Sequence, residues 1–86
     1  MDPRYQALAE RIRKAEFGTI RFSPGYNERE VDNFLDRVVG ILREGALPDP
    51  NELRAVQFTT SRLRPGYVQH DVDRLLEEIA EVVAAF

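Results

Sequence analysis

Residues 21–35 read RFSPGYNEREVDNFL, and residues 62–76 read RLRPGYVQHDVDRLL. Set against each other at an offset of 41, residues 17–38 and 58–79 are identical at nine of 22 positions. The shared residues are Phe17/Phe58, Thr19/Thr60, Arg21/Arg62, Pro24/Pro65, Gly25/Gly66, Tyr26/Tyr67, Val31/Val72, Asp32/Asp73 and Leu35/Leu76. Phe22/Leu63, Phe34/Leu75 and Val38/Ile79 stay apolar. A unit repeated within a short chain is one that cannot bury its apolar face alone and stacks on its copy. Residues that a duplicated unit keeps are those its own fold demands, and residues that differ are where the halves diverge in role.

Outward from this stretch, the elements follow from spacing and punctuation. Asp2-Pro3 is a helix start, with an acidic cap before proline at the first helical position. Tyr5, Leu8, Ala9, Ile12 and Ala15 then recur at helical spacing, which predicts an amphipathic helix over 3–16. Gly18 and Pro24-Gly25 break regular structure, so 17–26 is a loop. Pro-Gly fits the centre of a type II turn, which predicts positive φ at Gly25 and Gly66. Asn27 caps a second helix, and Glu30 completes a capping-box pattern. Val31, Phe34, Leu35, Val38, Val39, Ile41 and Leu42 form its apolar stripe, and Gly45 ends it. The second copy repeats this plan from Asp49-Pro50, with Leu53 and Val56 on its short helix. Val72, Leu75, Leu76, Ile79, Val82, Val83 and Phe86 lie on its long one. At the cap position it has Val68 in place of Asn27.

The expected fold is all-α: one domain, 1–86, of two short-helix/loop/long-helix repeats, 1–44 and 45–86. The short connector around Pro48 and Pro50 turns the second short helix back along the bundle. Both loops then lie at one end, and the long helices run parallel in a pseudo-two-fold four-helix arrangement.

Composition narrows the function. The chain has 86 residues, no cysteine and a net charge of −3. That excludes a disulfide framework and argues against nucleic acid as a partner. No apolar run approaches the ~20 residues of a membrane span, and the start has no signal-peptide pattern, so a cytoplasmic protein is expected. Ser23 and Ser61 have no base beside them, His70 is the only histidine, and no glycine-rich phosphate loop occurs. No enzyme, metal, cofactor or small-molecule substrate is therefore expected. Charge is uneven: residues 1–43 carry eight basic and seven acidic side chains, and residues 44–86 carry four and eight.

The phrase Gly-Tyr, then polar residues, then Val-Asp and an apolar pair resembles the N-terminal domain of the DivIVA family. GYNEREVDNFLDRV matches well and GYVQHDVDRLLEEI less closely, and LPDPNELRAVQF resembles the family's short helix and the phenylalanine after it. The resemblance implies a non-enzymatic bacterial scaffold of cell division or polar growth. Such a protein would act in the cytoplasm or peripherally at the inner membrane face, through helix-mediated self-association and protein binding. In the family, membrane contact is made by a phenylalanine and a basic residue directly before Gly-Tyr. Here those places hold Ser23-Pro24 and Arg64-Pro65, with Phe22 one position earlier, and the family's long coiled-coil tail is absent from the sequence. Two copies in one chain look like a fused family dimer. An unrelated helical interaction domain is the competing reading.

Three groups of residues carry these expectations. Gly25, Tyr26, Asp32, Gly66, Tyr67 and Asp73 form the structural loop motif, with Arg21 and Arg62 expected to pair with the aspartates. Ile20, Arg21 and Phe22, with Arg62, Leu63 and Arg64, are apolar-basic clusters suited to an anionic membrane or a partner. Phe22 aligns with Leu63, however, and that alignment predicts a core plug. Ile41, Val82, Val83 and Phe86 lack an obvious cover, so a homodimer or larger assembly through the ends of the long helices is expected.

Overall fold

The computed structural model describes residues 2–86. It contains α1 (Pro3–Arg13), β1 (Thr19–Ile20), β2 (Gly25–Tyr26), α2 (Glu28–Arg43), α3 (Pro50–Ala55), β3 (Thr60–Ser61), β4 (Gly66–Tyr67) and α4 (Gln69–Ala84). The protein is helix-rich, and the all-α expectation needs correction, because four two-residue strands form a sheet in the order β1-β4-β2-β3.

The helix ends follow their sequence signals closely. Asp2 accepts from the Arg4 amide and Asp49 from the Asn51 amide, both at 2.8 Å, ahead of Pro3 and Pro50. Asn27 accepts from the Glu30 amide at 3.0 Å. Val68 offers α4 no side-chain cap, as its lack of a polar group requires. Gly45, at φ 81°, closes α2: its amide reaches the Leu42 carbonyl and the Ala46 amide the Ile41 carbonyl, the two bonds of a Schellman motif. The first helix stops at Arg13, short of the expected residue 16.

The core is apolar throughout and holds no buried polar side chain among the described residues. Leu8, Ala9 and Ile12 of α1 and Leu53 of α3 cover the stripes of the long helices. Leu42, Leu53, Ile79, Val31, Val38 and Val72 are the largest fully enclosed side chains. α1 runs antiparallel to α4. Arg4 stacks on Phe86 past the helix end, Arg11 meets Glu78 midway, and the Gly18 amide, beyond α1, reaches Asp71 in the first turn.

The sheet decides how the halves are joined. Every strand pair joins one repeat to the other: β1 with β4, β2 with β3, and β2 with β4, all antiparallel. Thr19 lies opposite Tyr67 and Ile20 opposite Gly66; Tyr26 lies opposite Thr60 and Gly25 opposite Ser61. The amides that follow extend the ladder, Asn27 to the Thr59 carbonyl and Val68 to the Gly18 carbonyl, both at 2.8 Å.

This arrangement overturns the turn assignment. Gly25 and Gly66 are not at positive φ; they are strand residues. A Cβ on Gly25 would stand 2.9 Å from the Gly66 backbone, and one on Gly66 would stand 2.8 Å from the Gly25 carbonyl carbon. Each glycine is needed because two backbones pass with no room for a side chain. The reversal in the first loop falls on Phe22, at φ 67°, a conformation costly for a bulky L-residue. In the second loop the Leu63 amide donates to Ser61 Oγ at 3.0 Å, a local turn that Ile20, at the matching position, has no acceptor to build.

Gly25→Ala or Gly66→Ala should therefore destabilise the fold by about 1–3 kcal/mol, as expected for overpacking. Gly40 lies on α2, and a methyl group placed on it would meet nothing within 4 Å, so Gly40→Ala should stabilise by about 0.5–1 kcal/mol. Urea denaturation of the three variants checks both signs.

Candidate interaction surface at the loop tips

The crossing strands place Tyr26 and Tyr67 opposite each other at the centre of the sheet. Each ring then reaches into the other repeat. Tyr26 donates its hydroxyl to Asp73 at 2.7 Å, and Tyr67 donates to Asp32 at 2.8 Å. Tyr26 also packs edge-on to Phe58 at 5.2 Å, and Tyr67 lies against Phe17 at 5.0 Å. The expected Arg–Asp pairing is thus corrected: the aspartates hold tyrosines, and Arg21 and Arg62 make no ion pair among the described residues. The geometry favours tyrosine, because a phenol extends rigidly from the strand to the fifth residue of the opposite helix.

Glu30 is corrected in the same way. Its carboxylate does not return to its own cap but accepts the Thr59 amide at 2.9 Å, while Asp71 accepts the Gly18 amide at 2.9 Å. The strand ends need acceptors more than the helix does, since Asn27 already serves α2. Gln69 adds a bond from Nε2 to the Pro24 carbonyl at 2.9 Å. Gly25, Tyr26, Asp32, Gly66, Tyr67 and Asp73 are accordingly brought together as one joint.

Beyond the joint, the tips point away from the core. Phe22 is 81% exposed and Leu63 is 95% exposed, so Phe22 is not the core plug its alignment with Leu63 suggests. A left-handed backbone at Phe22 turns the ring outward, and nothing in the packed interior lies within its reach. Ile20 stays half-buried at the sheet, with its Cγ2 against Gly25. Arg21, Arg62 and Arg64 are exposed and without ion partners among the described residues. Arg64 and Arg29 both border a shallow groove of ≈ 380 Å³ beside Ser61 and Pro65.

The residues expected to self-associate separate from one another. Val83 is in the core at 5% exposure, a correction to its place in an assembly surface. Phe86 is partly covered by Tyr5, edge-on at 5.0 Å, and by the Arg4 guanidinium 4.3 Å above its ring. Ile41 is half-buried, and Val82 remains 40% exposed. Val83 belongs to the same buried cluster as Ile79 and Ala80, so the α4 stripe stays enclosed nearly to the helix end. Val82 and Phe86 border a groove of ≈ 460 Å³ with Leu8 and Ala85.

His70 is exposed, and no three His, Cys, Asp or Glu side chains gather among the described residues. Among the described residues, no helix is long and apolar enough to cross a membrane. Comparison with protein-family models, with curated proteins and with solved structures gave no match.

The half-buried tyrosines of the joint make a pH prediction. Burial first, and then the hydrogen bonds to Asp73 and Asp32, raise Tyr26 and Tyr67 from 10.0 to about 12. An unfolded chain sheds these protons at lower pH than the folded chain does. The contribution is therefore complete below pH 10 and declines as pH rises towards 12. The urea midpoint should fall over that window, and less steeply in Tyr26→Phe with Tyr67→Phe. At about pH 8 each substitution alone should cost about 1 kcal/mol.

Proposed function

We propose that this chain is a non-enzymatic scaffold of the DivIVA type, at work in bacterial cell division or polar growth, that docks on an anionic membrane surface through its two loop tips. The observation that carries the reading is the exposure of Phe22 and Leu63, each beside arginines that no carboxylate among the described residues neutralises. A folded protein gains nothing by holding these side chains in water. At a membrane interface the phenyl and isobutyl groups enter the acyl boundary while the guanidinium groups meet headgroups. Burial of the two side chains is worth roughly 3–5 kcal/mol, and each arginine adds about 1 kcal/mol at an anionic surface. Such attachment is reversible, as suits a recruited scaffold.

The arrangement we infer for the whole chain is a pseudo-two-fold one with parallel long helices. Its support is that each bond of the joint recurs 41 residues on with the repeats exchanged: Tyr26–Asp73 and Tyr67–Asp32, Gly18–Asp71 and Thr59–Glu30. α1 also meets α4 antiparallel and meets α2 through Glu10 and Arg43. A dyad along the long helices carries both tips to one end of a molecule 44 Å long, away from Phe86. The far end is then free for protein partners, where exposed Val82 supports a second contact, with another copy of the chain.

Vesicle sedimentation tests the first contact. Phosphatidylglycerol vesicles should pellet the wild-type chain at low salt, and phosphatidylcholine vesicles should not. Phe22→Asp with Leu63→Asp should reduce pelleting at least tenfold, roughly the value of one lost apolar anchor, without lowering the thermal midpoint. Equal pelleting of the folded double variant would sink the reading. For the second contact, sedimentation velocity should show self-association that Val82→Asp weakens.

A further inference from the structure

Among the described residues, two ion pairs cross directly between helices of different repeats. Arg11 of α1 meets Glu78 of α4 at 3.1 Å, and Arg37 of α2 meets Glu52 of α3. At the 41-residue offset these are the same contact made twice: position 11 corresponds to 52, and position 37 to 78. The charges, however, are exchanged. In repeat one both positions are arginine, and in repeat two both are glutamate. We propose that these four residues form a pairing code that makes repeat one bind repeat two and reject a like repeat, whether in the same chain or in a second copy.

The glycines, tyrosines and aspartates at the centre of the joint cannot discriminate. Gly25 and Gly66, Tyr26 and Tyr67, and Asp32 and Asp73 are identical pairs, so a like-with-like union would keep the glycine crossing and both phenol bonds. Glu30 and Asp71 are both acidic and would each still accept a strand amide. The apolar stripes match as well. The ion pairs Glu10–Arg43 and Arg54–Glu77 lie within one repeat and are indifferent to what lies opposite. Positions 11, 37, 52 and 78 are different. Two copies of repeat one would set Arg11 against Arg37 twice, and two copies of repeat two would set Glu52 against Glu78 twice. Like charges at salt-bridge distance repel, where unlike charges attract. The bond from Gln69 to the Pro24 carbonyl points the same way, because Glu28 at the matching place in repeat one has no donor. The code goes beyond the membrane reading and does not depend on it. It excludes runaway strand exchange between chains and leaves the ends of the molecule as the route for assembly.

Charge exchange in the full-length chain tests the code. Arg37→Glu with Glu78→Arg places like charges opposite one another at both contacts within the chain, and unlike charges opposite one another between like repeats of two chains. Sedimentation equilibrium at low salt should show self-association at least about tenfold tighter than in the wild type, together with a lower thermal midpoint. Adding Arg11→Glu and Glu52→Arg restores unlike charges within the chain and should return both mass and midpoint to wild-type values. The differences should disappear in 1 M salt, where the screening length is about 3 Å. Wild-type mass and midpoint in the double variant would overturn the proposal. So would a quadruple variant that fails to recover, whether misfolded or still associated.

Discussion

Gly25 and Gly66 meet backbone to backbone, and a methyl group on either would stand under 3.0 Å from the opposing chain. Most of the joint depends on this approach. It lets β2 and β4 lie side by side at the centre of the sheet, sets Tyr26 opposite Tyr67, and aims each phenol at an aspartate near the start of the other repeat's long helix. Because no strand pairs within its own repeat, the sheet is also the fastener between halves. Strands of two residues would be negligible in isolation. Here β2 and β4 each lead into a 16-residue helix and β1 and β3 pair onto them, so ordering the long helices orders the ladder as well.

The tips are the reverse case, with the outward side chains purchased at a local cost. Phe22 adopts a left-handed backbone that a bulky L-residue avoids, and its ring is left in water. Leu63 reaches the same exposure through the Ser61 hydroxyl without backbone strain. Two different local solutions reach one outcome, an apolar group presented beyond a sheet whose own polar groups are satisfied. Backbone strain held by the surrounding structure is commonly found where function requires it. The end of α4 carries no such strain: Tyr5 and Arg4 shelter Phe86 and the core encloses Val83, while Val82 stays exposed.

The halves are alike in what builds the joint and unlike in what surrounds it. Identical glycines, tyrosines and aspartates serve both sides, because both make the same bonds. Divergence is concentrated at the tips, at the helix cap of Asn27 against Val68, and at the charged positions where α1 meets α4 and α3 meets α2. Neither copy has to match itself, and at positions 11, 37, 52 and 78 the charges are complementary across the two.

The sequence by itself determined the repeat, the four helices, their Asp-Pro starts, the Asn27 cap, the Gly45 stop and most of the core. These are local properties, set by capping chemistry and by 3.6-residue periodicity, and they do not depend on what lies across the interface. It also marked out Gly25, Tyr26, Asp32 and their copies, but not why they matter. Pro-Gly reads locally as a turn and is in fact a crossing. Asp32 and Asp73 point by charge to arginines and hold phenols, and Glu30 points to its own helix end and holds Thr59. Phe22 is drawn inward by its alignment with Leu63, yet both side chains face water. Each of these outcomes was decided by tertiary structure for one physical reason. The loop residues find their partners 29 to 53 positions away in the other repeat, and no local preference encodes which backbone will arrive opposite.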